Sequence, residues 1–177
     1  MKTIQEYRLN LDTNAIIDYV HNNLMNTSLN AHKSNKGGWQ SPRIATFPKE
    51  LKGLQTFVEK LIPKYRLGSL WFNSNGYGHY NALHDHFPQP IDAISGVYYF
   101  RVPDKNMGNI YFETGEEIEP EENKLLLFPA HLVHGVRPNE SRKARGSLAF
   151  NYERGMMKSG IKFCNSDGSD SEFGLWI

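Results

Sequence analysis

Cysteine is nearly absent from this 177-residue chain, Cys164 being its single example, so no internal disulfide can form and no thiolate cage can hold zinc. A lone thiol fits a reducing compartment. No apolar run is long enough to span a bilayer, and Met1-Lys2-Thr3-Ile4-Gln5-Glu6 lacks the apolar stretch of a secretory signal. The expectation is a soluble, cytoplasmic protein. Net charge is equally scarce, at +1, and nothing in that balance suggests a nucleic-acid scaffold or a membrane-surface protein. Any charged ligand must be met by local groups. No internal repeat is evident.

What is present suffices for one core. With 39% hydrophobic residues and 12% aromatics, the length fits one domain over 1–177 rather than two. Asp12-Thr13 can cap a helix with Ile16, Ile17, Val20 and Leu24 at helical spacing. Pro48 opens a second, with Leu51, Leu54, Phe57, Val58 and Leu61 on one face. These helices, within 12–62, precede a β core placed at 67–163. Its strands read as Leu67 to Asn73, Ile94 to Val102, Asn109 to Phe112, Leu125 to Pro129 and Gly146 to Tyr152, punctuated by Gly, Pro and Asn. Residues 103–108 read as a turn and 138–143 as a polar loop. The order predicts a mainly β fold, an antiparallel sandwich or barrel with helical buttresses. Residues 165–171 read as a flexible stretch, and 173–177 as a small apolar tail docking on its own domain.

The chemistry-bearing residues are histidines. On a strand, the alternation of side chains sends His84 and His86 to one face and Asp85 to the other. With a third imidazole from a distant strand, the set would suit iron, zinc, copper or nickel and leave coordination positions open. By itself an H-x-H pair is a weak signal, since strand histidines are often solvated or core residues. His131 and His134 compete for the distal place. His21, His32 and His79 lack partner spacing and read as surface or capping residues.

Four landmarks occur in one order: Trp71-Phe72-Asn73, then His84-x-His86, then Phe128-Pro129 leading to His134, then Arg145-x-Ser147, eleven residues beyond His134. In that order they resemble the iron(II)- and 2-oxoglutarate-dependent oxygenases. Ser95-Gly96-Val97-Tyr98-Tyr99 and Leu126-Leu127-Phe128-Pro129 look like the small single-domain members found among marine bacteria and phages. The resemblance spans Leu70 to Asn151, with 35–41 as a weaker extension. It implies a double-stranded β-helix (jelly-roll, cupin-like) core, in a bacterial or phage-infected cell. It selects His134 over His131, through His134-Gly135-Val136-Arg137-Pro138 and the distance to Arg145. It makes His84, His86 and His134 the metal ligands, iron(II) the metal and 2-oxoglutarate the cosubstrate.

The family pattern ordinarily has His-x-Asp or His-x-Glu, and His86 departs from it. Three neutral imidazoles leave more positive charge on the metal than a two-histidine, one-carboxylate set. Asp85 is an alternative ligand, if a bulge redirects the chain, or a group that orients an imidazole. For the cosubstrate, Arg145 offers a planar fork to a carboxylate, and Ser147, two residues on, faces the same way. Asn73 stands where some members place a cosubstrate amide. Arg137 reads as a second carboxylate contact, a substrate contact or, with Arg142 and Lys143, a solvated rim. Trp39, Trp71, Tyr77, Tyr80, Tyr98 and Tyr99 are candidates for pocket or core, and 73–78 and 37–39 for mouth loops. The resemblance implies hydroxylation driven by oxygen and 2-oxoglutarate, on a prolyl-like peptidyl substrate or a free amino acid, with nucleobase demethylation ranked lower. Homodimerisation is left open. Two rivals stand beside this reading: a three-histidine cupin-type enzyme without 2-oxoglutarate, and a non-catalytic binding module.

Overall fold

The carboxylate of Asp12 accepts the Ala15 N–H at 3.1 Å and starts helix α1, Thr13–Asn23, as the capping pattern predicts. In this computed structural model, which describes residues 3–25, 34–86 and 92–154, Ile16 and Val20 of α1 are buried. Pro48 caps a 3-10 turn, Lys49–Leu51, that runs directly into α2, Lys52–Leu61. Leu54 and Val58 of α2 are buried, but Leu61, expected beside them, is 41% exposed. Ile62 is buried instead, because positions 54, 58 and 62 follow one another at i+4 and form the stripe facing the sheet.

Among the described residues the strands are β1 (Gln5–Arg8), β2 (Asn35–Lys36), β3 (Trp39–Gln40), β4 (Tyr65–Asn75), β5 (Tyr80–His84) and β6 (Ala93–Arg101), followed by β7 (Ile110–Phe112), β8 (Glu117–Ile118), β9 (Lys124–Pro129), β10 (His134–Val136) and β11 (Arg145–Arg154). They form two antiparallel sheets, ordered β1-β9-β6-β11-β4-β3 and β2-β5-β10-β7-β8. This is the expected jelly-roll core. The five anticipated strands correspond to β4, β6, β7, β9 and β11.

The strand expected through His84 and His86 is β5, which stops at His84; five short strands, β1, β2, β3, β8 and β10, escaped the pattern, and with them the boundary between helices and sheet near residue 66. β1 precedes α1 and pairs with β9, Gln5 opposite Leu127 and Arg8 opposite Lys124. Its sequence, Gln-Glu-Tyr-Arg, is that of an edge strand with one side in water, so no apolar run announces it. β2 and β3 lie between the helices, and β5 and β10 carry the polar residues of the site. The calls on 155–163, Cys164 and the tail fall outside the described residues, as does His32. No helix among the described residues is long and apolar enough to cross a membrane.

The strand period of two divides the larger sheet into a packing face and a cavity face. Leu70 and Phe72 of β4, Tyr98 and Phe100 of β6, and Leu148, Phe150 and Tyr152 of β11 join the core that α1 and α2 cover. The residues between them, Trp71 and Asn73, Ser95, Val97 and Tyr99, and Arg145, Ser147, Ala149 and Asn151, line a cavity of about 810 Å³ reached by β5, β7 and β10 of the smaller sheet. Gly96 of β6 lies opposite Phe150 of β11, and a Cβ at that position would strike the Phe150 ring.

Candidate metal and cosubstrate site

β10 carries His134 between β5 and β7, with its Cα opposite His84 and also opposite Phe112. The pairing joins histidines fifty residues apart in sequence. β5 ends at His84, so strand alternation does not by itself place His86. Just past the strand end the His86 N–H donates to the Ala130 carbonyl at 3.2 Å, which fixes the backbone there. Ligand atoms of His84, His86 and His134 all lie within 4.8 Å of one another. Ring centroids are 4.4 Å apart for His84 and His134, 5.3 Å for His84 and His86, and 5.2 Å for His86 and His134.

Backbone carbonyls set the tautomers. His84 Nδ1 lies 2.8 Å from the Ala82 oxygen and His134 Nδ1 lies 2.9 Å from the Leu132 oxygen. A carbonyl only accepts, so Nδ1 carries the proton and the Nε2 lone pair is left for a metal. Burial disfavours the charged imidazolium, lowering His84 below its ordinary value, His86 to about 4 and His134 to about 3. The histidines repel one another's protons, and the Arg43 guanidinium adds to the effect at His86. The donor set is therefore three neutral nitrogens, the form that binds a divalent ion.

Asp85 is exposed and is not one of the three converging groups. His131 is exposed, and His21 lies on the outer side of α1. His79 closes the turn between β4 and β5, where its Nδ1 accepts the Gly76 N–H at 3.0 Å.

Arg145 is 2% exposed and donates from one terminal nitrogen to the carbonyls of Met107 and Gly108, at 3.0 and 2.7 Å. Burial weakens its hold on the proton, and no carboxylate among the described residues pairs with it. Its Nε has no partner. The guanidinium lies 5.9 Å from the Tyr99 ring centroid, and the Tyr99 hydroxyl is also buried without a partner. Burial raises that hydroxyl to about 12, so it keeps its proton and is a donor. Ser147 pairs with Asn73 across β11 and β4; both are buried, both line the cavity, and Asn73 Oδ1 is unpartnered. Gly108 has φ +87°, and a Cβ there would strike the Arg137 carbonyl oxygen and crowd Arg145.

Of the aromatic candidates, Trp71 and Tyr99 line the cavity. Tyr98 points to the helical side, its hydroxyl 2.6 Å from Asn123 Oδ1. Tyr77 and Tyr80 are exposed, and Trp39 packs against the helical core. The anticipated mouth loops are partly sheet: Asn73 to Asn75 belong to β4, and Gly37 and Gly38 turn between β2 and β3 against His79 and Asn75. Arg137 pairs with Glu117 at 3.2 Å, half exposed, in keeping with the solvated rim. Sequence reasoning passed over Arg43, Ser95 and Asn151, all on the cavity wall. Asn151 was within reach, because continuing the alternation from Arg145 and Ser147 leads to it.

Residues 113–151 match a family model described as 2OG-Fe(II) oxygenase, a stretch that holds His134, Arg145 and Ser147. No curated protein matches the chain by sequence. The fold is similar to that of a viral collagen prolyl hydroxylase of Paramecium bursaria Chlorella virus-1, with TM-score 0.66, 15% identity, and 86% of this chain covering 97% of that one. It is similar to a Pseudomonas putida prolyl-4-hydroxylase, with TM-score 0.67, 14% identity, and 87% of this chain covering 94% of that one. HygX of Streptomyces hygroscopicus, solved with nickel and 2-oxoglutarate bound, gives TM-score 0.65 at 10% identity over 98% of this chain and 92% of its own.

Proposed function

We propose that the chain is a single-domain iron(II)- and 2-oxoglutarate-dependent oxygenase, a hydroxylase in which His84, His86 and His134 hold the metal. Arg145, with Ser147, Asn73 and Tyr99, holds the cosubstrate. The observation that carries this reading is Arg145, a buried guanidinium with no carboxylate partner among the described residues, opening into the cavity where three neutral imidazoles converge. Burying an unpaired charge is costly. A ligand carboxylate removes that cost, and the unpartnered Arg145 Nε and Tyr99 hydroxyl are both donors suited to one. The donor set and the orphaned polar atoms therefore fit both groups. The match of residues 113–151 and the likeness of the fold support the same assignment.

Iron(II) and 2-oxoglutarate, when bound, supply the oxidising chemistry: oxygen is consumed, the cosubstrate loses carbon dioxide to become succinate, and a substrate C–H bond becomes C–OH. The protein's own residues bind and orient. The carbonyls of Ala82 and Leu132 hold two imidazoles in one tautomer, and Arg145 fixes the far end of the diacid. Val97, Ile110 and Phe128 give the cavity apolar walls that limit water. The substrate is a small molecule or a peptide segment, a prolyl-like residue or a free amino acid. Anaerobic titration with iron(II) and 2-oxoglutarate should develop a weak visible charge-transfer band. Arg145→Lys should raise the 2-oxoglutarate concentration for half-formation about tenfold or more, the value of a lost charge-assisted hydrogen bond. A wild-type protein with no band and no succinate formed under air would favour a binding module. Turnover indifferent to 2-oxoglutarate and to Arg145→Lys would favour a three-histidine enzyme of another kind.

A further inference from the structure

On the oxygenase reading, Arg145 and the three histidines account for one carboxylate-bearing ligand, and the cavity holds further groups that those do not use. We infer that the substrate is a small carboxylic acid, whose carboxylate meets Arg43 and one of whose acceptor oxygens meets Asn151.

Arg43 lines the cavity with its guanidinium 5.6 Å over the Trp71 ring, and Trp71 in turn lies 5.8 Å from His86 between ring centroids. Arg43 is exposed to solvent on the cavity lining, and no ion pair among the described residues includes it, so its guanidinium is open to a ligand. The cosubstrate's far carboxylate does not serve both arginines. Ile44 bridges to Leu70, which sets Arg43 beside Trp71, and Trp71 pairs with Ala149. Ala149 is four residues along β11 from Arg145, about 13 Å of extended strand. The two guanidiniums thus belong to different subsites of one cavity.

The charge balance points the same way. A divalent ion on three neutral imidazoles, a dianionic 2-oxoglutarate and the Arg145 guanidinium that holds it sum to one positive charge, where a carboxylate ligand would leave the centre neutral. Arg43 adds a positive charge beside it, and the acid lining the cavity is the exposed Asp85. An ammonium gains nothing from such an end of the cavity; a carboxylate does. Asn151 adds a directional element. It lines the cavity and is 1% exposed, its Oδ1 accepts the Ser95 hydroxyl at 2.8 Å, and its buried Nδ2 has no partner. With the oxygen held by Ser95, the buried amide offers a donor to a ligand oxygen. A capped peptide segment would supply such an oxygen but no carboxylate to exchange for the water around Arg43.

The test measures succinate release with iron(II), 2-oxoglutarate and air across the free amino acids and short mono- and dicarboxylic acids. Each acid is paired with its methyl ester, and N-acetyl-prolinamide and a capped proline peptide are included. At least one acid should stimulate succinate release with kcat/KM about tenfold or more above its ester, the loss of a charged hydrogen bond. Arg43→Gln should bring that ratio close to unity, Arg43→Lys should restore most of it, and Asn151→Ala should raise KM for the acid. The inference is overturned if esters or capped peptides equal the acids, if the preference survives Arg43→Gln, or if no acid stimulates while the wild-type charge-transfer band forms. Absence of that band in the wild-type protein identifies failure of the oxygenase reading itself, and the inference falls with it.

Discussion

At position 86 a neutral imidazole stands where the family pattern has Asp or Glu, and its ring reaches the same point as those of His84 and His134. The H-x-H spacing was visible in sequence. The atoms that make it a site were not, because β5 stops at His84 and the backbone of His86 is held by Ala130 from another part of the chain. Replacing the imidazole by a carboxylate restores the commoner donor set, so His86→Asp should retain iron(II) within about tenfold of wild type. His134→Ala should lose about a hundredfold or more, since it removes a ligand outright and even outer hydrogen-bond partners of such ligands are worth about 10–100-fold. Metal content after dialysis and a titration of affinity distinguish the two. Equal loss in both would show that the site requires the imidazole at position 86. Arg145 and Ser147 were singled out by their spacing to His134 and both line the cavity, whereas the unpartnered hydroxyl of Tyr99 is a feature that only burial reveals.

Among the elements, the short β5–β10 pairing brings the histidines together, and the loop before β7 cradles Arg145 through two carbonyls. Gly108 is the point where that cradle permits no side chain, so Gly108→Ala should destabilise the protein by about 1–3 kcal/mol and weaken 2-oxoglutarate binding. Thermal denaturation and the charge-transfer titration read these two effects separately. The β1–β9 edge supplies a pH-dependent contribution. The Glu121 carboxylate accepts from Lys124, at 2.6 Å, and from Arg8, and these bonds hold it down at about 2. Its folded value lies below the ordinary 4.5, so its stabilisation is complete above that value and is lost as pH falls towards about 2. Glu121→Gln should lower stability near neutrality and make the acid limb of the pH–stability curve shallower; a denaturation series from pH 7 to pH 3 checks the slope. Glu121 is largely solvated, which keeps this effect small.

For the whole molecule, a metal held by the proposed site would be linked to the fold, because the three histidines come from β5, the chain just beyond it, and β10, and unfolding disperses them. Iron(II), or nickel(II) as an oxygen-inert substitute, should raise the Tm. At a hundred times Kd the gain is about 2.7 kcal/mol, or about 5–10 °C for a chain of this size, reversed by a chelator and absent in His134→Ala. An unchanged Tm in the wild-type protein would count against a metal bound by the native state. The long core strands were readable because an apolar run or a strict alternation is a local property, and the helices because capping and i+4 spacing are local too. The sequence by itself determined these elements, the single-core composition and the candidate ligands by residue type and order. Tertiary structure decided the rest: that β1 reaches across to β9, that Leu61 gives way to Ile62, and that His86 rather than Asp85 joins the cluster. It also decided that Arg145 is buried without a carboxylate among the described residues and that Asn151 keeps an unused donor. Each of these depends on which groups another strand brings near and on the water that burial removes, and neither is a property of the residues' own neighbours in sequence.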